Sequence, residues 1–123
     1  MRPNLYPMVQ GDAGVQAILG DDPMRFFPFG EADEGSNPDQ VYATWQLISG
    51  LPQNQLKGPA TLDWFRMQID VWAANANDAD AAASALRTAL EPKGYIVSIN
   101  ADGRDPATRA YRISFDFEFW QKR

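Results

Sequence analysis

Five charged side chains recur at alternate positions in two long segments. Arg66 and Asp70 lie in residues 62–73, and Arg112, Asp116 and Glu118 lie in residues 110–120. If these segments are neighbouring strands, the charges share one face and form cross-strand ion pairs. A glycosidase-type reaction would instead need two carboxyls facing each other across a cleft. Ordinary sheet pairing accounts for the pattern, so the expected reading is a solvated or interfacial sheet face. A second acidic group, Glu31, Asp33 and Glu34, sits in a stretch of turn formers at 30–40. Alternate acids can hold calcium, but the Asp-x-Asp-x-Asp-Gly spacing of a calcium loop is missing. The stretch Gly11-Asp-Ala-Gly14 is too short for a phosphate loop and has no lysine. No serine sits in a nucleophile-elbow pattern.

The chain has no histidine and no cysteine. The commonest general base, the commonest metal ligand and all thiol chemistry are therefore missing. Any metal would need oxygen ligands alone. No catalysis, cofactor or structural metal is expected.

The elements that must position these residues are clear from their periods. In residues 62–73, Phe65, Met67, Ile69 and Val71 alternate with Arg66, Gln68 and Asp70. In residues 110–120, Tyr111, Ile113, Phe115, Phe117 and Phe119 alternate with Arg112, Ser114, Asp116 and Glu118. Side chains alternate across a strand, so each segment has a core face and a wet or partner-facing face. Trp64, Trp72 and Trp120 fall on the polar faces. Large aromatics beside arginine on a polar face suit the centre of an interface; cover by another segment of the same chain would suit them equally.

Residues 78–90 carry Ala79, Ala82, Ala83, Leu86, Ala89 and Leu90 at helical spacing. Asn77 or Asp78 is the expected cap, and Pro92 with Gly94 the stop. A shorter helix is expected after Asp12, ending at Gly20. Strands are expected at 24–29, 41–49 and 95–100, the first demoted to an edge by Pro28. The order predicts an α+β domain spanning 1–123: a mainly antiparallel sheet of four to five strands with two helices on one face.

At 123 residues and 45% hydrophobic content, the chain can build a core without staples. No signal-peptide or membrane-span run is visible, so a soluble cytoplasmic protein with no membrane partner is expected. The formal charge is −5. Residues 1–40 carry seven acids against two bases, while the rest carry nine of each. No basic stripe marks a nucleic-acid surface, so no specific DNA or RNA binding is expected.

In order and spacing, these segments resemble the tail-completion, or tail-terminator, family of long-tailed phages. The matching features run nearly end to end: the helix ending Ile18-Leu-Gly-Asp21, the extended Phe26-Phe-Pro28, and the aromatic strand Val41-Tyr-Ala-Thr-Trp-Gln-Leu-Ile-Ser-Gly50. They continue with Ile69-Asp-Val-Trp-Ala73, the alanine-rich helix, and the closing Asp116-Phe-Glu-Phe-Trp120. The resemblance implies a structural virion protein without enzymatic activity. Such proteins form a hexameric ring at the head-proximal end of the tail tube. The ring stops tube growth and meets the head connector, and DNA passes through without being read. The implied partners are other copies of itself, the tail tube protein and the connector or stopper. Assembly takes place in the host cytoplasm.

On this reading Trp64, Arg66, Gln68, Asp70, Trp72, Arg112, Glu118 and Trp120 are the candidate subunit interface, and Glu31, Asp33 and Glu34 are candidates to face the channel. The competing classes are a small bacterial adaptor module using the same sheet face and an enzyme with an oxygen-only site. Native mass separates the first reading from both. Metal titration followed by melting tests the third, since a ligand of the folded state must stabilise it.

Overall fold

The computed structural model describes residues 3–20, 24–29, 40–53, 58–59, 61–104, 106 and 109–122. Glu31, Asp33 and Glu34 lie outside the described residues. The chain runs α1 (Tyr6–Val9), α2 (Ala13–Leu19), β1 (Phe26–Pro28), β2 (Tyr42–Gln53), β3 (Leu62–Ala73), α3 (Ala76–Leu90), β4 (Tyr95–Arg104) and β5 (Tyr111–Lys122). The five strands form one sheet in the order β1-β2-β3-β5-β4. Among the described residues, β1 and β2 pair in parallel, and the other neighbours are antiparallel. The α+β class and the mainly antiparallel sheet match the sequence expectation, with a one-turn helix, α1, added to the two expected.

Strand β5 enters the sheet between β3 and β4. Those two therefore run parallel to each other, linked through α3 as a split β-α-β unit. Strand β5 therefore has both of its edges paired. Its core-side residues Phe115, Phe117 and Phe119 join Phe65, Met67, Ile69 and Val71 of β3 and Ala43 and Trp45 of β2 in one cluster. Leu86, Leu90 and Ala82 of α3, Val15 and Leu19 of α2, and Val9 of α1 complete it. The helices α1, α2 and α3 thus cover one face. The buried alanines of α3, Ala79, Ala82 and Ala89, let its axis lie close to the strands.

Local signals explain the boundaries. The Asp12 side chain accepts a hydrogen bond from the Val15 amide at 3.0 Å and starts α2. Gly20, at φ 83°, ends it in a conformation that other residues avoid. Arg25 then donates to the carbonyls of Ile18 and Val41, each at 2.8 Å. One guanidinium satisfies an orphan helix-end carbonyl and ties α2 to the start of β2.

The cap of α3 is Asn75, whose side chain accepts from the Asp78 amide at 2.9 Å. It is not Asn77 or Asp78, which lie inside the first turn. A β-region residue must precede the helix, and Asn75 is that residue, at φ −141° and ψ 166°. Two strands also outrun their expected ends. Strand β2 continues through Gly50 and Pro52 to Gln53, and β4 continues to Arg104. Pairing with β3 and β5 overrides the turn propensities of those residues.

Gly94 shows how tightly β4 meets β5. A β-carbon there would stand 2.3 Å from the Glu118 carbonyl oxygen and 2.7 Å from the Phe117 ring. Neither backbone nor core ring can give way at low cost. We expect Gly94→Ala to destabilise the fold by ~1–3 kcal/mol, the range for overpacking, as read from urea denaturation. An unchanged midpoint would show that the β4 entry shifts freely.

Candidate functional site

The face of the sheet away from the helices carries the polar set anticipated from sequence, and its register assembles cross-strand rows. At one end Leu51, Trp64 and Trp120 stand side by side. Tyr95 adds an edge-on ring contact to Trp120 at 6.0 Å. At the other end Tyr42, Trp72 and Arg112 align. The Tyr42 and Trp72 rings stack at 6.3 Å, and the Arg112 guanidinium lies 5.4 Å from the Trp72 ring centre. Between these aromatic bands run three polar rows: Ser49-Arg66-Glu118, Gln46-Gln68-Asp116 and Thr44-Asp70-Ser114.

The polar rows are tied together. Arg66 donates twice to one Asp116 oxygen, at 3.0 and 2.8 Å, and stands 3.7 Å from Glu118. Asn100 of β4 donates to the other Asp116 oxygen at 2.6 Å. Arg112 donates twice to Asp70, at 3.1 and 2.8 Å, and Gln68 adds contacts to both Asp70 oxygens at 3.2 Å. Asp70 and Asp116 are only 2% and 5% exposed although no helix among the described residues covers this face. The long side chains above them exclude the water. Burial raises the Tyr42 phenol above its ordinary pKa of 10. On the helix side, a hydrogen bond to Asp102 raises that of Tyr111 above the same value. Neither phenol therefore titrates near neutral pH.

This arrangement gives most of the candidate residues an intramolecular role. Arg66, Arg112, Asp70 and Glu118 are paired within the chain, and Gln68 is bonded to Asp70. Sequence periodicity placed these residues on one face but could not tell that their charges are spent on one another. The acidic partner that an interfacial Arg66 would need from another copy is already supplied by Asp116 and Glu118. Trp64 and Trp72 are half-buried, while Trp120 is 49% exposed. Asp116, seen in sequence only as one acid of a strand, is the hub of one network.

Sequence reading also missed a set of apolar side chains left in water. Leu47, Ile48 and Leu51 are exposed on β2, as are Tyr95, Val97 and Ile99 on β4. Leu47 points to the helix side as expected, but the helices do not reach it. Leu47 continues the alternation of Ala43 and Trp45, so the signal lay in Ile48, which breaks it, and in an apolar run that carries past the expected strand end at Ser49 to Leu51.

The charged groups at the centre of this face are committed to one another. Both buried carboxylates are held by guanidiniums, and no group of three metal-ligating side chains occurs among the described residues. Two hydroxyls beside Asp70, those of Thr44 and Ser114, are buried without a hydrogen-bond partner among the described residues. A buried unpaired hydroxyl costs roughly 1–3 kcal/mol. We expect Thr44→Val to raise stability by up to ~1 kcal/mol once repacking is allowed for. A loss in thermal melting would show that the hydroxyl has a partner in solution.

The domain is thus a mixed sheet covered by helices on one side, with a self-paired polar face on the other and exposed apolar residues on β2 and β4. Residues 3–122 match the family described as Tail completion protein gp17. The chain belongs to that family, and so is a structural component of phage-like tails. Among solved structures, a chain of the "Virion of native gene transfer agent (GTA) particle" shares the fold, with a TM-score of 0.64 at 19% identity. The match covers 93% of this chain and 88% of that one. No curated protein matches. No helix among the described residues is long and apolar enough to cross a membrane.

Proposed function

We propose that this protein closes into a ring on the head-proximal end of a tail tube, stops its growth and joins it to the head connector. Its partners are other copies of itself, the tube protein and the connector, and the ring assembles in the host cytoplasm before it becomes part of the virion. The role is architectural, with no reaction and no cofactor. The observation that carries this reading is the placement of the exposed apolar side chains. They form two unlike patches at opposite sides of the sheet, on β2 and on β4. Two unlike patches that complement each other make a head-to-tail contact, and such a contact closes into a ring when the rotation allows.

Native mass spectrometry with and without purified tail tubes tests the proposal. The expected species is a closed cyclic oligomer, with six copies the expected number. A monomer or twofold dimer inside an assembled particle would overturn it. The acids Glu31, Asp33 and Glu34 are our candidates to face the channel. A duplex would then be repelled over about 8–10 Å at physiological salt. With 11 basic residues against 16 acids, gel shifts at that salt should show no retained duplex, since phosphate binding rests on lysine and arginine.

A further inference from the structure

Strand β4 forms one side of the sheet, and no strand pairs with its outer edge among the described residues. On the opposite side, β1 pairs with β2 only from Ala43 to Trp45. Beyond that point the outer edge of β2 is likewise unpaired among the described residues. Free edges are normally blunted with charge, because their N–H and C=O groups invite another strand. Here residues 46–53 and 95–101 contain no Asp, Glu, Lys or Arg. They carry instead Leu47, Ile48 and Leu51, and Tyr95, Val97 and Ile99, each more than 40% exposed.

We propose that a second copy of this chain occupies each edge. Residues 47–53 of β2 in one copy pair antiparallel with residues 95–101 of β4 in the next, so that one sheet continues from subunit to subunit. This rests on the ring reading above and specifies its contact.

The strand directions permit it. Each step from β2 to β3, β5 and β4 is antiparallel. A following copy in the same orientation therefore brings its β2 antiparallel to β4, and the alternation is unbroken. Strand β1 and Phe29, whose amide bonds to the Trp45 carbonyl at 2.7 Å, block the lower part of the β2 edge. The incoming β4 must engage above them, which sets a stagger along the strands. A sheet that closes on itself needs such a stagger. The register shifts in β2 at Leu47/Ser49 and in β4 at Ile96/Ser98 and Ile99/Ala101 add local twist, which a closing sheet also uses.

The area is adequate for a contact repeated around a ring. The six apolar side chains leave roughly 600 Å² in water, about half of the ~1,200–2,000 Å² that a specific interface buries. The strand backbones and the flanking Ser49, Ser98 and Asn100 supply more. Uncharged edges also meet without a desolvation penalty from ionised groups.

Because the chain has no native cysteine, disulfide trapping is clean. Leu51→Cys and Val97→Cys place thiols opposite each other in that pairing, both at exposed positions, where folding is undisturbed. The full-length double variant is oxidised at high concentration, alone and with purified tail tubes, and a short bis-maleimide covers neighbouring registers. The expected result is a covalent ladder from dimer to closed ring. A mixture of the two single variants should stop at dimers, and each single variant alone should remain monomeric on a denaturing gel. Dimers from Val97→Cys alone would mean that β4 pairs with itself, which overturns the proposal. Rings seen by native mass without any cross-link would overturn this contact and leave the ring reading standing. The absence of any oligomer, with tubes or without, would overturn both.

Discussion

Replacing Phe117 with alanine is expected to lower the free energy of unfolding by ~3–5 kcal/mol, the range for emptying a buried aromatic site. Phe117 is fully buried at the centre of β5, between Met67 of β3 and Ile96 of β4 in register. Its ring stacks on Phe119 at 5.5 Å and closes the space above Gly94. The neighbours are strand backbone and other core rings, which cannot collapse into the vacated volume. A domain of this size has roughly 5–15 kcal/mol in hand. The variant should therefore melt on the order of 10 °C lower or more. Urea denaturation monitored by tryptophan fluorescence would measure the change. A loss below ~1 kcal/mol would mean that the strand faces are reversed.

Arg112→Met should cost ~3 kcal/mol, near the lower end for breaking a buried ion pair. The asymmetry of the pair sets the size. The Asp70 side chain is 3% exposed, whereas that of Arg112 is 34% exposed and partly wet. Removing the arginine leaves the carboxylate buried with Gln68 as its remaining side-chain donor, and removes the cation over Trp72. Asp70→Asn in the Arg112→Met background should recover part of the loss, because the stranded charge is gone. The surface pair Arg87–Glu91, with both side chains about half exposed, is the contrast. Arg87→Ala should change stability by no more than about 0.5 kcal/mol. Equal effects of Arg112→Met and Arg87→Ala in denaturant titrations would show that the polar face is not a closed network.

The same network alters what assembly variants mean. Arg66→Glu would place a third carboxylate beside Asp116 and Glu118, so weakened assembly in that variant would report a damaged subunit. Substitutions at the exposed edge residues Ile48, Leu51, Val97 and Ile99 separate folding from assembly, since these side chains contribute little to the core. They are the better probes of the ring.

By itself, the sequence determined the strands β3 and β5, the helix α3 with its stop at Pro92 and Gly94, the Asp12-capped helix α2, and the segregation of apolar from polar faces. Each of these rests on a local period or a local backbone preference, and such signals survive without knowledge of the partners. Composition alone removed histidine, thiol and disulfide chemistry. The order of segments pointed to the tail-completion family, to which the chain belongs. The tertiary structure decided what depends on neighbours distant in sequence. It placed β5 between β3 and β4, carried β2 and β4 past their expected ends, and moved the α3 cap to Asn75. It paired Arg66 with Asp116 and Arg112 with Asp70 from segments more than 40 residues apart. It left Leu47, Ile48, Leu51, Tyr95, Val97 and Ile99 in water at the two sheet edges. A period of two assigns a side chain to a face, but only the register across strands decides which charge it meets, and only the extent of the helical layer decides which apolar residue stays exposed.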